Sequence, residues 1–173
     1  MRRHRDELFA GVRRPIAGEP HELLRAICAY LTESGGREVR LMLEAFPPDT
    51  VSGLWLDLAE HEVVVVEKNT LPVHQLVILG HELWHRWEAR SGQSGGAAAV
   101  GAPAARSTLG DPWDLGDAFA HGAARTDYDL DEERRAERFG RLLAAKFRPF
   151  LFGARDCAPP DALVGRIRAS LAG

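Results

Sequence analysis

Cysteine and lysine are both scarce in this chain, and long apolar runs are missing. Cys28 and Cys157 are the only cysteines in 173 residues, and neither belongs to a Cys/His pair at zinc-finger spacing. That excludes a disulfide-stapled scaffold and a structural Cys/His zinc knot. Cys28 falls on an apolar helical stripe and reads as a core residue, whereas Cys157 reads as a loop thiol. No stretch approaches the ~20 apolar residues that span a bilayer, and the charged start leads into no apolar signal core. The expectation is a cytoplasmic protein without membrane attachment. The 2 lysines against 20 arginines reflect base composition and exclude no chemistry.

A net charge of -3 gives no general attraction to nucleic acid. Arg2, Arg3, Arg5, Arg13 and Arg14 against Asp6 and Glu7 form a basic segment over residues 1–18, which reads as solvated rather than as a nucleic-acid arm. With 45% hydrophobic and 27% charged residues, the composition is that of one folded domain, residues 1–173, and not of a disordered chain.

Leu23, Leu24, Ile27, Cys28, Tyr30 and Leu31 recur at helical spacing, with Pro20 in the first turn and Gly35-Gly36 as the stop. Val39, Leu41, Leu43 and Ala45 then alternate with Arg40, Met42, Glu44 and Phe46, a strand pattern ended by Pro47-Pro48. Leu54, Leu56 and Leu58 alternate with Trp55 and Asp57, and Val63 to Val66 is a pure β run. Short turns between these segments predict a three-stranded antiparallel meander, although Glu60-His61 is no favoured hairpin pair. A buried helix follows from near Pro72 to about Arg90. Residues 91–126 are a Gly/Ala-rich insertion without period. Its acids Asp111, Asp114 and Asp117 follow no calcium-loop pattern, and it reads as a surface insertion or a cover over a site.

A further helix begins at Asp127 to Asp131, where Asp129 and Glu132 suit a capping pair. It carries Ala136, Phe139, Leu142, Leu143 and Phe147 on one side and ends before Pro149. Residues 159–173 read as a closing helix with Asp161 as N-cap. The fold class predicted is therefore α+β, a small sheet packed against helices.

Chemistry concentrates at His81-Glu82-Leu83-Trp84-His85. Histidines four apart project from one helical face one turn apart, so both imidazoles can meet one tetrahedral zinc ion. Glu82 beside them suits a general base acting on water. The motif is short enough to arise by chance, so its context decides. A catalytic zinc takes three protein ligands. Glu88 and Ser91 stand where a metzincin needs glycine and histidine, and the inverted motif is absent, so both of those classes are excluded. Glu88 shares the face of the histidines but lies almost two turns beyond His81. Glu133 is the better candidate, with Glu137 one turn later to hydrogen-bond a ligand histidine. Glu132 and His121 remain open as third ligands.

The arrangement resembles the ImmA/IrrE family of small zinc metallopeptidases, which carry His-Glu-x-x-His and a distant glutamate ligand. The matching residues are Gly53-Leu54-Trp55-Leu56, Val63 to Val66, Gly80 to His85, and Glu133 to Gly140, over roughly residues 20 to 147. The resemblance implies zinc held by His81, His85 and Glu133, with Glu82 as catalytic base. It also implies a protein substrate, a helix-turn-helix repressor cleaved in a mobile-element, stress-response or toxin-antitoxin-like pair. Three features depart from the family. Glu137 replaces a common Asn or Asp, Trp84 replaces a small residue and is expected to narrow the cleft, and the gap from His85 to Glu133 is long. These departures point to weakened or partner-restricted activity, or to a zinc protein that regulates its DNA-binding partner without cutting it. His121 and Tyr128 are the candidates for an oxyanion donor.

Overall fold

The computed structural model describes residues 1–12, 20–91 and 130–151. The elements are α1 (Arg2–Gly11), α2 (Pro20–Gly35), β1 (Val39–Glu44), β2 (Gly53–Asp57), β3 (Glu62–Glu67), α3 (Pro72–Ser91) and α4 (Leu130–Phe147), closed by a 3-10 turn at Arg148–Phe150. This is the expected α+β arrangement. The insertion from residue 92 onward, the closing helix at 159–173 and Cys157 lie outside the described residues. No helix among the described residues is long and apolar enough to cross a membrane.

The sheet corrects the predicted meander. Its order is β1-β3-β2, with β1 parallel to β3 and β2 antiparallel to it. The reason is legible in β3, whose Val63, Val64, Val65 and Val66 are all buried. A strand covered on both faces belongs at the centre, and the chain reaches that position by carrying β2 to the far edge before turning back. The β2–β3 hairpin does form. Leu58 N–H donates to the His61 carbonyl at 3.0 Å, leaving Ala59 and Glu60 at the tip.

The basic N-terminus also differs from its expectation. Residues 2 to 11 form a helix that buries Leu8 and sets Phe9 against Phe147 and Phe150, at ring separations of 5.3 and 5.8 Å. Leu8, Phe9 and Val12 are the apolar stripe that the surrounding arginines obscured.

Helix α3 is pinned to β3 at both ends. The Gln75 side-chain amide donates to the carbonyls of Glu67 and Lys68 at 3.1 and 3.2 Å, holding its first turns. Toward its other end, Arg86 and Arg90 reach the Glu62 carboxylate at 2.6 and 2.7 Å, and Trp55 Nε1 donates to the same group at 3.0 Å. Glu62 is 1% exposed, so this is a buried ion cluster rather than a surface pair.

Helix α4 buries Ala136, Phe139, Leu143 and Phe147 against α3 and α1, each large side chain contributing about 1.5–3 kcal/mol. Two glycines govern how closely it approaches. A Cβ on Gly80 would lie 2.8 Å from Gly140 Cα, and a Cβ on Gly140 would overlap the Val77 carbonyl. Backbone therefore meets backbone.

Two outcomes follow for stability. Alanine ordinarily stabilises a helix interior by about 1 kcal/mol over glycine. For Gly140→Ala we expect the opposite, a net loss of about 1–3 kcal/mol in urea unfolding, and unchanged stability would show that the helices are not in contact there. Glu62 supplies the second. Burial pushes its carboxyl up, but hydrogen bonds and charge from Arg86, with Trp55 and Arg90, outweigh burial and hold it below the usual carboxylate range. A folded-state value below the unfolded one gives stability that is present above the unfolded pKa and lost as pH falls through the folded one. Unfolding free energy measured from pH 7 downward should show that loss, and Glu62→Gln should flatten it while lowering stability at pH 7 by about 3–5 kcal/mol.

Candidate metal centre

His81 and His85 lie one turn apart on α3, and the close crossing at Gly80 and Gly140 brings the first turns of α4 over them. The two Nε2 atoms are 3.0 Å apart. Glu133 completes the group, with Oε2 3.3 Å from His81 Nε2 and Oε1 3.3 Å from His85 Nε2. These three side chains offer ligand atoms that all lie within 4.8 Å of one another, a group able to hold a metal ion. Ligand atoms about 2.0–2.1 Å from a zinc ion at tetrahedral angles lie roughly 3.3–3.4 Å from each other. The two histidine–glutamate separations match that edge length, each through a different carboxylate oxygen, and the Nε2–Nε2 separation of 3.0 Å is shorter than it.

The electrostatics of the group are those of donors gathered around a shared position. Burial pushes the Glu133 carboxyl up, but the adjacent imidazoles of His81 and His85 bring it down to about 2. Burial pushes His85 down, and Glu133, Glu82 and Glu132 together raise it above its ordinary value. Three carboxylates thus surround a pair of imidazoles, a donor set suited to a divalent cation.

Glu132 takes the role that the sequence suggested for Glu137. Its Oε1 lies 3.1 Å from His85 Nδ1, and both side chains are buried. With Nδ1–H donated to Glu132, the Nε2 lone pair points at the shared position, so this contact selects the tautomer that binds metal. Glu137 instead accepts from Arg141 Nη1 at 3.0 Å and stands at the solvent edge of the cleft. Both are acids near Glu133, and only the roll of α4 about its axis distinguishes them. Glu88 lies outside the group. It is buried and accepts from Arg135 Nε at 3.1 Å, with burial pushing its carboxyl up against the Arg135 charge.

The centre opens into a cleft of about 420 Å³ lined by α3, the first turns of α4 and the segment Thr50 to Leu54. Glu82 lines it beside the ligands, as expected. Gly53 forms part of the cleft wall. A Cβ there would lie 2.5 Å from the Ile78 side chain and 2.9 Å from Glu82 Oε1. The missing side chain lets β2 come down onto the carboxylate. His74 also lines the cleft, two turns before His81.

Trp84 does not narrow this cleft. It is buried on another face of α3, with its ring 5.0 Å from Trp87 and 5.3 Å from Phe139. One residue before His85 is a quarter-turn away on a helix, which the motif as written conceals. His121 and Tyr128 lie outside the described residues.

Removing Glu132 should weaken metal binding without removing a ligand. For Glu132→Ala we expect zinc affinity, measured by competition with a chromophoric chelator, to fall 10–100-fold. A variant that binds as tightly as the parent would show that the His85 tautomer needs no such partner. Set against protein-family models, curated proteins and solved structures, the chain matches none of them.

Proposed function

We propose that this protein is a zinc-dependent endopeptidase, with His81, His85 and Glu133 holding the metal and Glu82 acting as general base. The observation that carries the reading is the convergence of those three ligand atoms from two helices, with Glu82 lining the same cleft. When bound, zinc supplies Lewis acidity, polarising a carbonyl and lowering the pKa of water. Glu82 takes the proton from the attacking water and returns it to the departing amine. Glu133 balances charge at the centre, and Glu132 keeps His85 in its binding tautomer.

A peptide suits this cleft for a backbone reason. Ser52 and Leu58 bond to the hairpin partner side, Ser52 accepting from Glu67 N–H and Leu58 donating to His61. By the alternation of a strand, the backbone groups of Gly53, Trp55 and Asp57 face away from β3 along an edge that pairs with no other strand among the described residues. Gly53 brings that edge against Glu82, so an extended chain paired to it runs past the base.

The resemblance to ImmA/IrrE metallopeptidases supplies the substrate class, a helix-turn-helix repressor in a regulatory pair. The alternative is a zinc-containing partner that binds such a repressor without cutting it. Trp84 no longer favours that alternative, because it lies away from the cleft; Glu137 at the cleft edge is what remains of it.

Co-expression with a helix-turn-helix protein encoded beside this chain separates the two. Wild type should cut it, and Glu82→Gln should bind zinc normally but cut at least 10²-fold more slowly. Binding by both forms with cutting by neither would overturn the peptidase reading and leave the non-proteolytic one. Near-zero zinc in protein purified at neutral pH would overturn both.

A further inference from the structure

A second cavity of about 280 Å³ lies among α1, α2, α3 and α4, apart from the metal cleft and sharing no lining residue with it. Its walls are largely apolar and aromatic: Leu8, Tyr30, Leu83, Trp84, Trp87 and Phe139. The rings form one contiguous cluster, each tilted against its neighbour. Trp84 and Trp87 are 5.0 Å apart at an interplanar angle of 36°, and Phe139 stands 5.3 Å from Trp84 at 42°. Gly11 contributes by omission, since a Cβ there would overlap the Tyr30 ring, so the ring packs directly under the α1 backbone.

Charge at the cavity is already paired. Arg86 is bonded to buried Glu62 through Nε and Nη2 at 2.6 and 3.1 Å. Glu7 is held by Arg3 at 2.8 Å and by His4 at 3.5 Å, and the His4 ring itself packs tilted against Trp87, with centres 4.1 Å apart. An ionic ligand would have to break one of those pairs, whereas a neutral one need not. The Tyr30 and Ser34 hydroxyls in the lining are neutral groups able to bond a single N–H or O–H.

Size sets the rest. An apolar cavity of about 150 Å³ is enough to bind benzene. Nearly twice that volume accommodates two fused rings, and walls offering both ring faces and ring edges favour a flat aromatic guest through offset or edge-to-face contacts. We propose that this cavity is a binding site for a small, neutral, bicyclic aromatic molecule carrying one hydrogen-bond donor. Its guest touches Leu83 and Trp84, which stand between Glu82 and His85 on the same helix.

The test uses indole as probe and the full-length protein, with no readout of hydrolysis, so it is independent of the peptidase proposal. Titration with indole should saturably shift the side-chain N–H resonances of Trp84 and Trp87. Hexanol, of comparable apolarity but not flat, should bind at least ten-fold more weakly. Ser34→Phe, at an exposed lining position, and Leu31→Phe, at a half-buried one, should each weaken indole at least ten-fold while leaving the unfolding transition in place. Absence of saturable shifts up to the solubility of indole would overturn the proposal. So would hexanol binding within ten-fold of indole, or a loss of less than ten-fold in both variants.

Discussion

Everything at the candidate metal centre depends on the contact between the backbones of α3 and α4 at Gly80 and Gly140. A glycine inside a helix costs about 1 kcal/mol relative to alanine, so this pair sacrifices roughly 2 kcal/mol of helical propensity. The return is distance. With side chains in the crossing, the axes would stand further apart, and carboxylates two turns from Gly140 would withdraw from the imidazoles. Glu133 touches both histidines only because Gly140 lies on Val77. The burial of Phe139, Leu143 and Phe147 then fixes the roll of α4, presenting Glu132 and Glu133 to His85 together.

The opposite anchorage lies on the sheet. Gln75 binds the C-terminal end of β3 and Arg86 the glutamate at its N-terminal end. Eleven residues of helix rise about 16 Å, and five steps of strand span about 17 Å, so the two attachments match in length. His81 lies between them, where the helix is least free to slide. Glu62 makes the match specific: a buried carboxylate held by donors from three side chains tolerates little displacement of Arg86, since an unpaired charge there costs several kcal/mol.

Local pattern made part of this legible. The motif helix could be read from Pro72 to Arg90 because a long apolar period and an N-terminal proline are local signals, and the helix found is Pro72–Ser91. The α+β class followed from helical and alternating segments in the same way. What local pattern omits is the spatial order of strands, and so β1 was expected antiparallel in a meander when it lies parallel to a central β3. Charge hid α1, whose apolar stripe of Leu8, Phe9 and Val12 is short beside its arginines. For the third ligand, spacing left Glu133 as one candidate among several, and the family resemblance preferred it. The choice between Glu132 and Glu137 as partner of His85 lay beyond both, since it is set by the rotation of one helix against another across 47 residues of chain.

Helix α3 therefore divides its circumference. His74, Val77, Ile78, His81, Glu82 and His85 face the cleft, whereas Leu83, Trp84, Arg86 and Trp87 face the second cavity. The polar cluster at Glu62 joins the second set to the sheet and not to the His81-His85-Glu133 group. A substitution on the cavity side can change packing or ligand occupancy without altering a metal ligand. It can still reach the centre, because Trp84 packs on Phe139, and Phe139 belongs to the same buried face that sets the roll of α4. That contact offers one path between the two sites, a small rotation of α4, and the shared backbone of α3 offers another, since Leu83 and Trp84 stand between Glu82 and His85.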